Sequence, residues 1–505
     1  MTAACSRCSV TGATLRGVEA LPVAVEVAVS GGIPGMAVVG MPDAAVQEAR
    51  ERVRAAIRAS GFAMPNEKVV VNLAPGDLRK TGTGFDLPIA VGVLAATGQL
   101  DPAALRGRLF VGELSLEGSV RPAAGALAFG ICARNRGLVL VGSADAARLP
   151  LGEVEQLGIA RLSDLRPGGP GPRPLAAGPR GTAFVEDGAP DFSDVAGHEV
   201  AKRALQVAAA GGHGVLLVGP PGSGKTLLAS RLTTILPPLS QDEMLEAAVV
   251  HSVAGEDVTP ILAGRRPFRS PHHSASQAGL VGGGSPVRPG EISLAHQGVL
   301  FLDELPEFHG STLQSMRQPM ESGVVRITRA EGSVTLPARF MLAAAANPCP
   351  CGYYGAADGE RECRCTDQQV RQYQGRIGGP LMDRIDLQLD VQRLPPESVM
   401  ATGGGTDSAT LREGVLRARA YASWREARAD DGPPGPAQTV ARCRLSEEDR
   451  AFLESMARSW RMSGRGIIRT LGVARTLADM DEASAVGRGH LAEALGFRLR
   501  EGMGG

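Results

Sequence analysis

Eight consecutive residues, Gly219-Pro220-Pro221-Gly222-Ser223-Gly224-Lys225-Thr226, have the make-up of a loop that wraps phosphate. Glycines let such a backbone curl until several N–H groups face one anion, and a following helix adds its positive end. Lys225 is then placed to reach β- and γ-phosphates, and Thr226 to hold Mg²⁺. A second group lies downstream, where Val299-Leu300-Phe301-Leu302 runs into Asp303-Glu304. Asp303 would support Mg²⁺ through water, and Glu304 would orient and polarise an attacking water. Together the two groups describe ATP hydrolysis with Mg²⁺.

The chemistry needs these residues at strand ends, and the flanks supply strands. Val215-Leu216-Leu217-Val218 is a buried-strand run, and Leu227-Leu228-Ala229-Ser230-Arg231-Leu232 continues as a helix. That context separates the loop from a chance Gly-rich turn, and the upstream loop separates Asp303-Glu304 from surface acids. Residues 323–338 alternate apolar and polar about Glu331-Gly332, which predicts a β-hairpin carrying Arg326 and Arg329. Residues 340–346 form another buried strand ending in Asn347. Residues 255–298 are Gly-rich and carry Arg265, Arg266 and Arg269. So long an irregular stretch inside a core is expected to be functional.

The chain of 505 residues is expected to hold roughly three domains. The fold class is α/β: a P-loop core with a helical lid, preceded by a separate α+β block. The expected boundaries are 1–166 for the block, 167–190 for a Pro/Gly-rich linker, 191–394 for the core and 395–505 for the lid. In the block, strands are expected at 23–29, 69–73 and 109–114, and helices at 43–60 and 87–97. Pro and Gly are expected to interrupt the chain from 394 to about 438, before a helical segment at 446–500 capped at Leu445-Ser446-Glu447-Glu448. Lys and Arg (53) balance Asp and Glu (53), so no global field draws a polyanion and any DNA contact must be local. Aromatic residues at 4% argue against a base-stacking platform. With no long apolar run and no secretory leader, a cytoplasmic protein is expected.

Four of the eight cysteines cluster as Cys349-x-Cys351 and Cys363-x-Cys365. Four thiolates in a short loop suit a structural zinc. Four reduced thiols without metal, or a redox pair, are the alternatives. Tyr353 and Tyr354 in this loop would face DNA or a neighbouring subunit, or pack on the cluster.

With these parts placed, the chain resembles the magnesium-chelatase-like AAA+ family typified by ComM and YifB, from about residue 10 to 500. The matching stretches are Pro42-Asp43-Ala44-Ala45-Val46, Pro271-His272-His273, Arg288-Pro289-Gly290-Glu291-Ile292-Ser293-Leu294-Ala295-His296, Leu302-Asp303-Glu304-Leu305-Pro306-Glu307-Phe308 and Asn347-Pro348-Cys349-Pro350-Cys351-Gly352. The resemblance implies a hexameric ATPase that drives branch migration of DNA in recombination and natural transformation. It implies that the turn at 194–198 sits beside adenine and that Asn347 is sensor 1. Arg384, in Leu381-Met382-Asp383-Arg384-Ile385-Asp386, would be an arginine finger reaching a neighbour's γ-phosphate. Its alternative is an internal ion pair with Asp383 or Asp386. Arg469 would be sensor 2, with Arg465 second. The hairpin arginines Arg326 and Arg329 would contact DNA, or else lie on an ordinary solvated face. The N-terminal block is similar to the proteolytic domain of Lon, a fold also used by RadA, through residues 80–87 and 113–122. The positions of the Lon Ser and Lys fall at Gly84 and near Leu127, so a non-proteolytic domain is expected. The competing function is a chelatase-type protein remodeller, from which the N-terminal block is expected to separate this chain.

Overall fold

The computed structural model describes residues 7–176, 190–329, 332–355, 362–400, 405–428 and 435–498. Most of the expected linker, Glu331 of the hairpin turn, and Cys5 lie outside the described residues.

The five strands that carry the chemistry form one parallel sheet. Its order is Phe268–Arg269, Val299–Leu302, Met341–Ala346, Val215–Val218, Leu387–Asp390. Every pairing is parallel. Parallel sheets need both faces covered, and the runs obey this: all six residues of Met341–Ala346 are buried. Helices Glu199–Gly211 and Lys225–Ile235 pack with the long lid helix Gly464–Met480 in one apolar cluster. Hydrophobic residues of 280–316 and of the hairpin fill a second. Among the described residues no helix is long and apolar enough to cross a membrane.

The N-terminal block is built on an eight-stranded sheet. Its long strands Arg7–Arg16 and Glu19–Ser30 pair antiparallel around Gly17, whose φ of 64° suits a glycine turn. Helix Ala44–Ala59 starts where expected, with the Asp43 carboxylate accepting from Val46 N at 2.9 Å. Helix Asp86–Ala96 is buried along its whole length. The single strand expected over 109–114 is instead two, Arg108–Phe110 and Glu113–Leu114. The break occurs because Gly112 leaves the ladder to exchange backbone hydrogen bonds with Gly84 and Leu87.

Two other expectations need correction. Residues 255–298 are not irregular throughout. They hold the edge strand Phe268–Arg269 and the short helices Thr259–Leu262, Gln277–Val281 and Glu291–Leu294. Two of their three arginines are internal ties. Arg269 makes a two-pronged bridge to Glu291 (2.7 and 2.9 Å) and reaches Glu256. Arg266 holds Pro237 O, Gln297 O and Glu243. The region 394–438, expected to be interrupted, contains the 19-residue helix Ser408–Glu426. Its cap is Asp407, which accepts from Thr410 N at 2.7 Å, and its inward stripe is Leu411, Val415 and Ala418.

That helix is pinned to Gly464–Met480 by a buried pair, Arg425 donating twice to Asp479 at 2.9 and 3.0 Å. Removing one partner of such a pair leaves the other charge buried and alone. Arg425→Ala should therefore cost the lid about 3 kcal/mol. The two tryptophans of the chain, Trp424 and Trp460, both lie in this region, so the denaturation midpoint of tryptophan fluorescence reads the lid directly. An unchanged midpoint would show that the pair is not what ties these helices.

Candidate nucleotide site

Parallel pairing sets the ends of three strands side by side. Val218 is opposite Ala346, and Leu302 is opposite Ala344. The residues that follow, Gly219, Asn347 and Asp303, therefore emerge on one edge of the sheet, where ligands of open α/β sheets bind. Gly219 N donates to Ala346 O at 3.2 Å. A side chain at Gly219 would meet Val391 O at 2.0 Å, so only glycine fits between the neighbouring strands. Gly222 and Gly224 hold φ values of 78° and 85°, curling the loop into helix Lys225–Ile235.

Inside the curl Lys225 Nζ donates to Gly219 O (2.7 Å), Pro220 O (2.9 Å) and Asn347 Oδ1 (3.3 Å). Burial lowers the Lys225 pKa, and Asp303 opposes that shift. Ser223 Oγ is buried with no hydrogen-bond partner among the described residues. A partly desolvated ammonium, an orphan hydroxyl and a helix N-terminus in one loop fit a polyphosphate. Thr226 Oγ1 donates to Asp303 Oδ2 at 2.8 Å, so the two oxygens expected to share Mg²⁺ are already adjacent. The oxygen donor set suits that ion.

Glu304 follows Asp303 in a left-handed conformation, φ 52°. A non-glycine residue held there costs about 1–3 kcal/mol and marks a place where direction matters. The turn brings Glu304 Oε2 to 3.3 Å from His273 Nδ1. His273 stacks on His272, ring centroids 4.1 Å apart, and His272 is held by Ser274 Oγ at 2.7 Å. His273 is thus a positioning residue for Glu304. The sequence flagged the Pro271-His272-His273 run but gave it no role. Arg393 was missed altogether: its Nε donates to Pro221 O at 2.9 Å across the loop. The turn at 194–198 does adjoin the site, since a Cβ on Gly224 would lie 3.6 Å from His198 Nε2.

The structure brings Lys225, Thr226, Asp303, Glu304 and Asn347 together. It puts Arg384 and Arg469 in a second group. Arg469 bonds Arg384 O (3.0 Å) and the Asp386 carboxylate. Asp386 also accepts from Gly214 N at 3.0 Å. Burial pushes the Asp386 carboxyl up, but His213 and Arg469 outweigh it and hold it below the usual range. Arg384 itself pairs with Glu321. Gly214 begins the strand that Gly219 ends. Five residues of strand span about 16 Å, so this group sits at the opposite edge of the sheet from the phosphate loop.

Two further features flank the loop. The four cysteine Sγ atoms of Cys349, Cys351, Cys363 and Cys365 lie within 4.8 Å of one another. Tyr353 packs beneath Arg393, its ring centroid 5.6 Å from the guanidinium carbon. The hairpin Val324–Arg329 and Gly332–Pro337 is a separate two-stranded sheet that lies, in chain order, between the Asp303-Glu304 strand and the Asn347 strand. Val325, Ile327 and Leu336 are buried, whereas Arg326 and Arg329 are exposed.

Comparisons with known proteins agree with this architecture. Residues 191–399 match the family described as magnesium chelatase, subunit ChlI, and residues 405–498 its C-terminal part. The chain is 43% identical over 493 residues to the uncharacterized protein YifB of Salmonella typhimurium, covering 95% of both chains. It is 41% identical over 504 residues to competence protein ComM of Haemophilus influenzae, again covering 95% of both. A magnesium-chelatase 67 kDa subunit of Chlorobaculum parvum matches at 30% over 173 residues, 34% of this chain and 24% of that protein. Residues 25–143 also match a family described as subunit ChlI of Mg-chelatase. The sequence reading expected the N-terminal block to separate this chain from chelatases, but a family described as a chelatase subunit matches that block too.

The site's chemistry is tested by three variants. Lys225→Ala should abolish nucleotide binding. Glu304→Gln should keep binding while turnover falls about 10²-fold or more. His273→Ala should lower kcat with little change in KM, since it acts through Glu304. Steady-state ATPase rates beside fluorescent-ATP titrations check all three, and ordinary turnover by Glu304→Gln would overturn the assignment.

Proposed function

The chain belongs to the ComM/YifB family of magnesium-chelatase-like AAA+ proteins, and on that footing we propose that it is an ATP-driven hexameric motor that moves branches in DNA. The family suggests ATPase activity with Mg²⁺. In this reading the loop N–H groups and Lys225 hold the β- and γ-phosphates, and Thr226 and Asp303 hold the metal. A metal held there would supply positive charge to offset that of the phosphates. Glu304, oriented by His273, accepts a hydrogen bond from the attacking water and draws its proton. Asn347 holds the water or the γ-phosphate edge. The name of one relative, a competence protein, ties the family to DNA uptake, and the motor would work in the cytoplasm where ATP and incoming DNA meet.

The observation that carries the motor reading is the hairpin. It lies in the chain between the strand that ends in Asp303-Glu304 and the strand that ends in Asn347, so a change at the γ-phosphate would reach it through helices Gly310–Ser315 and Arg317–Ser322 and through the strand Met341–Ala346. Its exposed Arg326 and Arg329 offer backbone-directed, sequence-tolerant contacts. A chelatase-type remodeller would share the ATPase core, but such an enzyme matches only a third of the chain.

The placement of Arg384 supports a ring. A finger about 16 Å from its own phosphate loop serves only a neighbour's. Arg384→Ala should bind ATP yet hydrolyse almost none. Mixed with Lys225→Ala subunits it should recover part of the activity, because some interfaces then pair an intact loop with an intact finger. Mixed rings with no recovery would refute a role across the interface.

The DNA reading is tested with Arg326→Ala combined with Arg329→Ala. Junction binding and DNA-stimulated turnover should weaken while basal ATPase survives. The slope of log affinity against log salt should flatten by about 2 if both arginines contact phosphates. Wild-type protein that hydrolyses ATP but neither binds nor moves three- and four-stranded junctions at low salt would favour protein remodelling instead.

A further inference from the structure

Cys349 and Cys351 follow Asn347 at the end of its strand, and Cys363 and Cys365 return just before helix Asp367–Gly375. The Sγ separations are 3.3 Å (Cys349–Cys351), 3.7 Å (Cys349–Cys363) and 3.6 Å (Cys351–Cys363). These are too long for disulfides, whose sulfurs sit about 2.05 Å apart. Four sulfurs about 2.3 Å from one tetrahedral ion stand about 3.8 Å from each other; two of these three separations lie close to that spacing, and all four sulfurs lie within 4.8 Å of one another. Ligands shared between the two irons of a cluster would spread wider.

The cluster does not stand apart from the nucleotide site. Gly352, directly after Cys351, has φ 86°. Any Cβ there would come within 2.6 Å of the Pro221 ring of the phosphate loop. The next residue, Tyr353, lies under Arg393, and Arg393 holds Pro221 O. Pro221 is therefore gripped on its ring by the cluster's turn and on its carbonyl by an arginine seated on that turn. The returning arm is tied back as well, with Gln374 Nε2 donating to Pro348 O at 3.0 Å.

We propose that the four cysteines hold one structural zinc ion and that this zinc clamps the phosphate loop through Gly352, Tyr353 and Arg393. The clamp rests on the reading of 219–226 as a nucleotide loop, whereas the zinc itself does not. Without the ion the two Cys-x-Cys arms lose their cross-link through the thiolates, and the wall behind Pro221 loses that anchor. Zinc and nucleotide are then linked ligands, and linkage is reciprocal: each strengthens the other by the same factor.

The full-length protein, purified without chelator, should contain one zinc per chain by elemental analysis. An organomercurial should release it in step with four thiols, read by a zinc-sensitive dye. Cys363→Ser with Cys365→Ser should lose the metal and weaken binding of a fluorescent ATP analogue about tenfold. If that variant folds poorly, wild-type protein stripped and then treated with thiol, with or without zinc, gives the same comparison. The reciprocal arm is metal retention: saturating ATP analogue should raise zinc affinity against a competing chelator by the same factor. Lys225→Ala keeps its zinc while losing nucleotide, so failure of the clamp and failure of the nucleotide reading give different results. Iron in place of zinc, or four free thiols with no metal, would overturn the site. Zinc that leaves without changing nucleotide affinity would overturn the clamp.

Discussion

The register of the parallel ladder between Val215–Val218 and Met341–Ala346 is the constraint on which the site depends. Once Val218 pairs with Ala346, Lys225 and Asn347 must meet, and they do at 3.3 Å. The same ladder, continued one strand further, brings Asp303 to Thr226. Side chains alone could not impose this. A slip of one residue would turn every side chain of a strand to the other face, and both faces here are buried. The alanines Ala343 to Ala346 carry no shape that would drive register by packing. The neighbouring strands and helices must therefore fix it, which explains why Gly219 is admitted only as glycine.

The sheet also keeps two polar groups apart, one at each end of its strands. One edge gathers the phosphate loop, the two acids and Asn347. The other gathers Asp386, Arg384 and Arg469 around Gly214. Arg469 and His213 hold the Asp386 carboxyl below the usual range despite its burial, and Arg469 ties Asp386 to the Arg384 carbonyl.

Legibility in the sequence followed the range of the interactions. The phosphate loop, the Asp303-Glu304 strand, the hairpin and the caps at Asp43 and Ser446 were readable, because each is a local pattern in which side-chain chemistry and backbone need agree within a few residues. Helix Ser408–Glu426 was missed because its apolar stripe is thin and sits among arginines and flanking glycines. Arg266 and Arg269 looked available because their acids, Glu243, Glu256 and Glu291, come from separate elements. His273 and Arg393 act on Glu304 and Pro221 across 31 and 172 positions respectively, and no periodicity carries that information.

The N-terminal block packs against the core at Leu127, where the resemblance to Lon read from the sequence would place that family's lysine. Leu127 and its neighbours Ala128 and Phe129 pack in one apolar cluster with Ala247, Ala248 and Val249 of the core helix Gln241–Ala254. Leu127 N donates to Ser252 Oγ at 3.2 Å, and Gly125 N to Ser252 O at 2.8 Å. An ammonium at this position would be buried without a counter-charge, at a cost of several kcal/mol, about 5 or more. A base and this interface therefore exclude each other. On its other side the block touches the hairpin: Arg16 donates to Ser333 O at 3.3 Å, and Val18 packs with Val334. The block thus touches both the core helix Gln241–Ala254 and the hairpin, and so links the two through its own sheet.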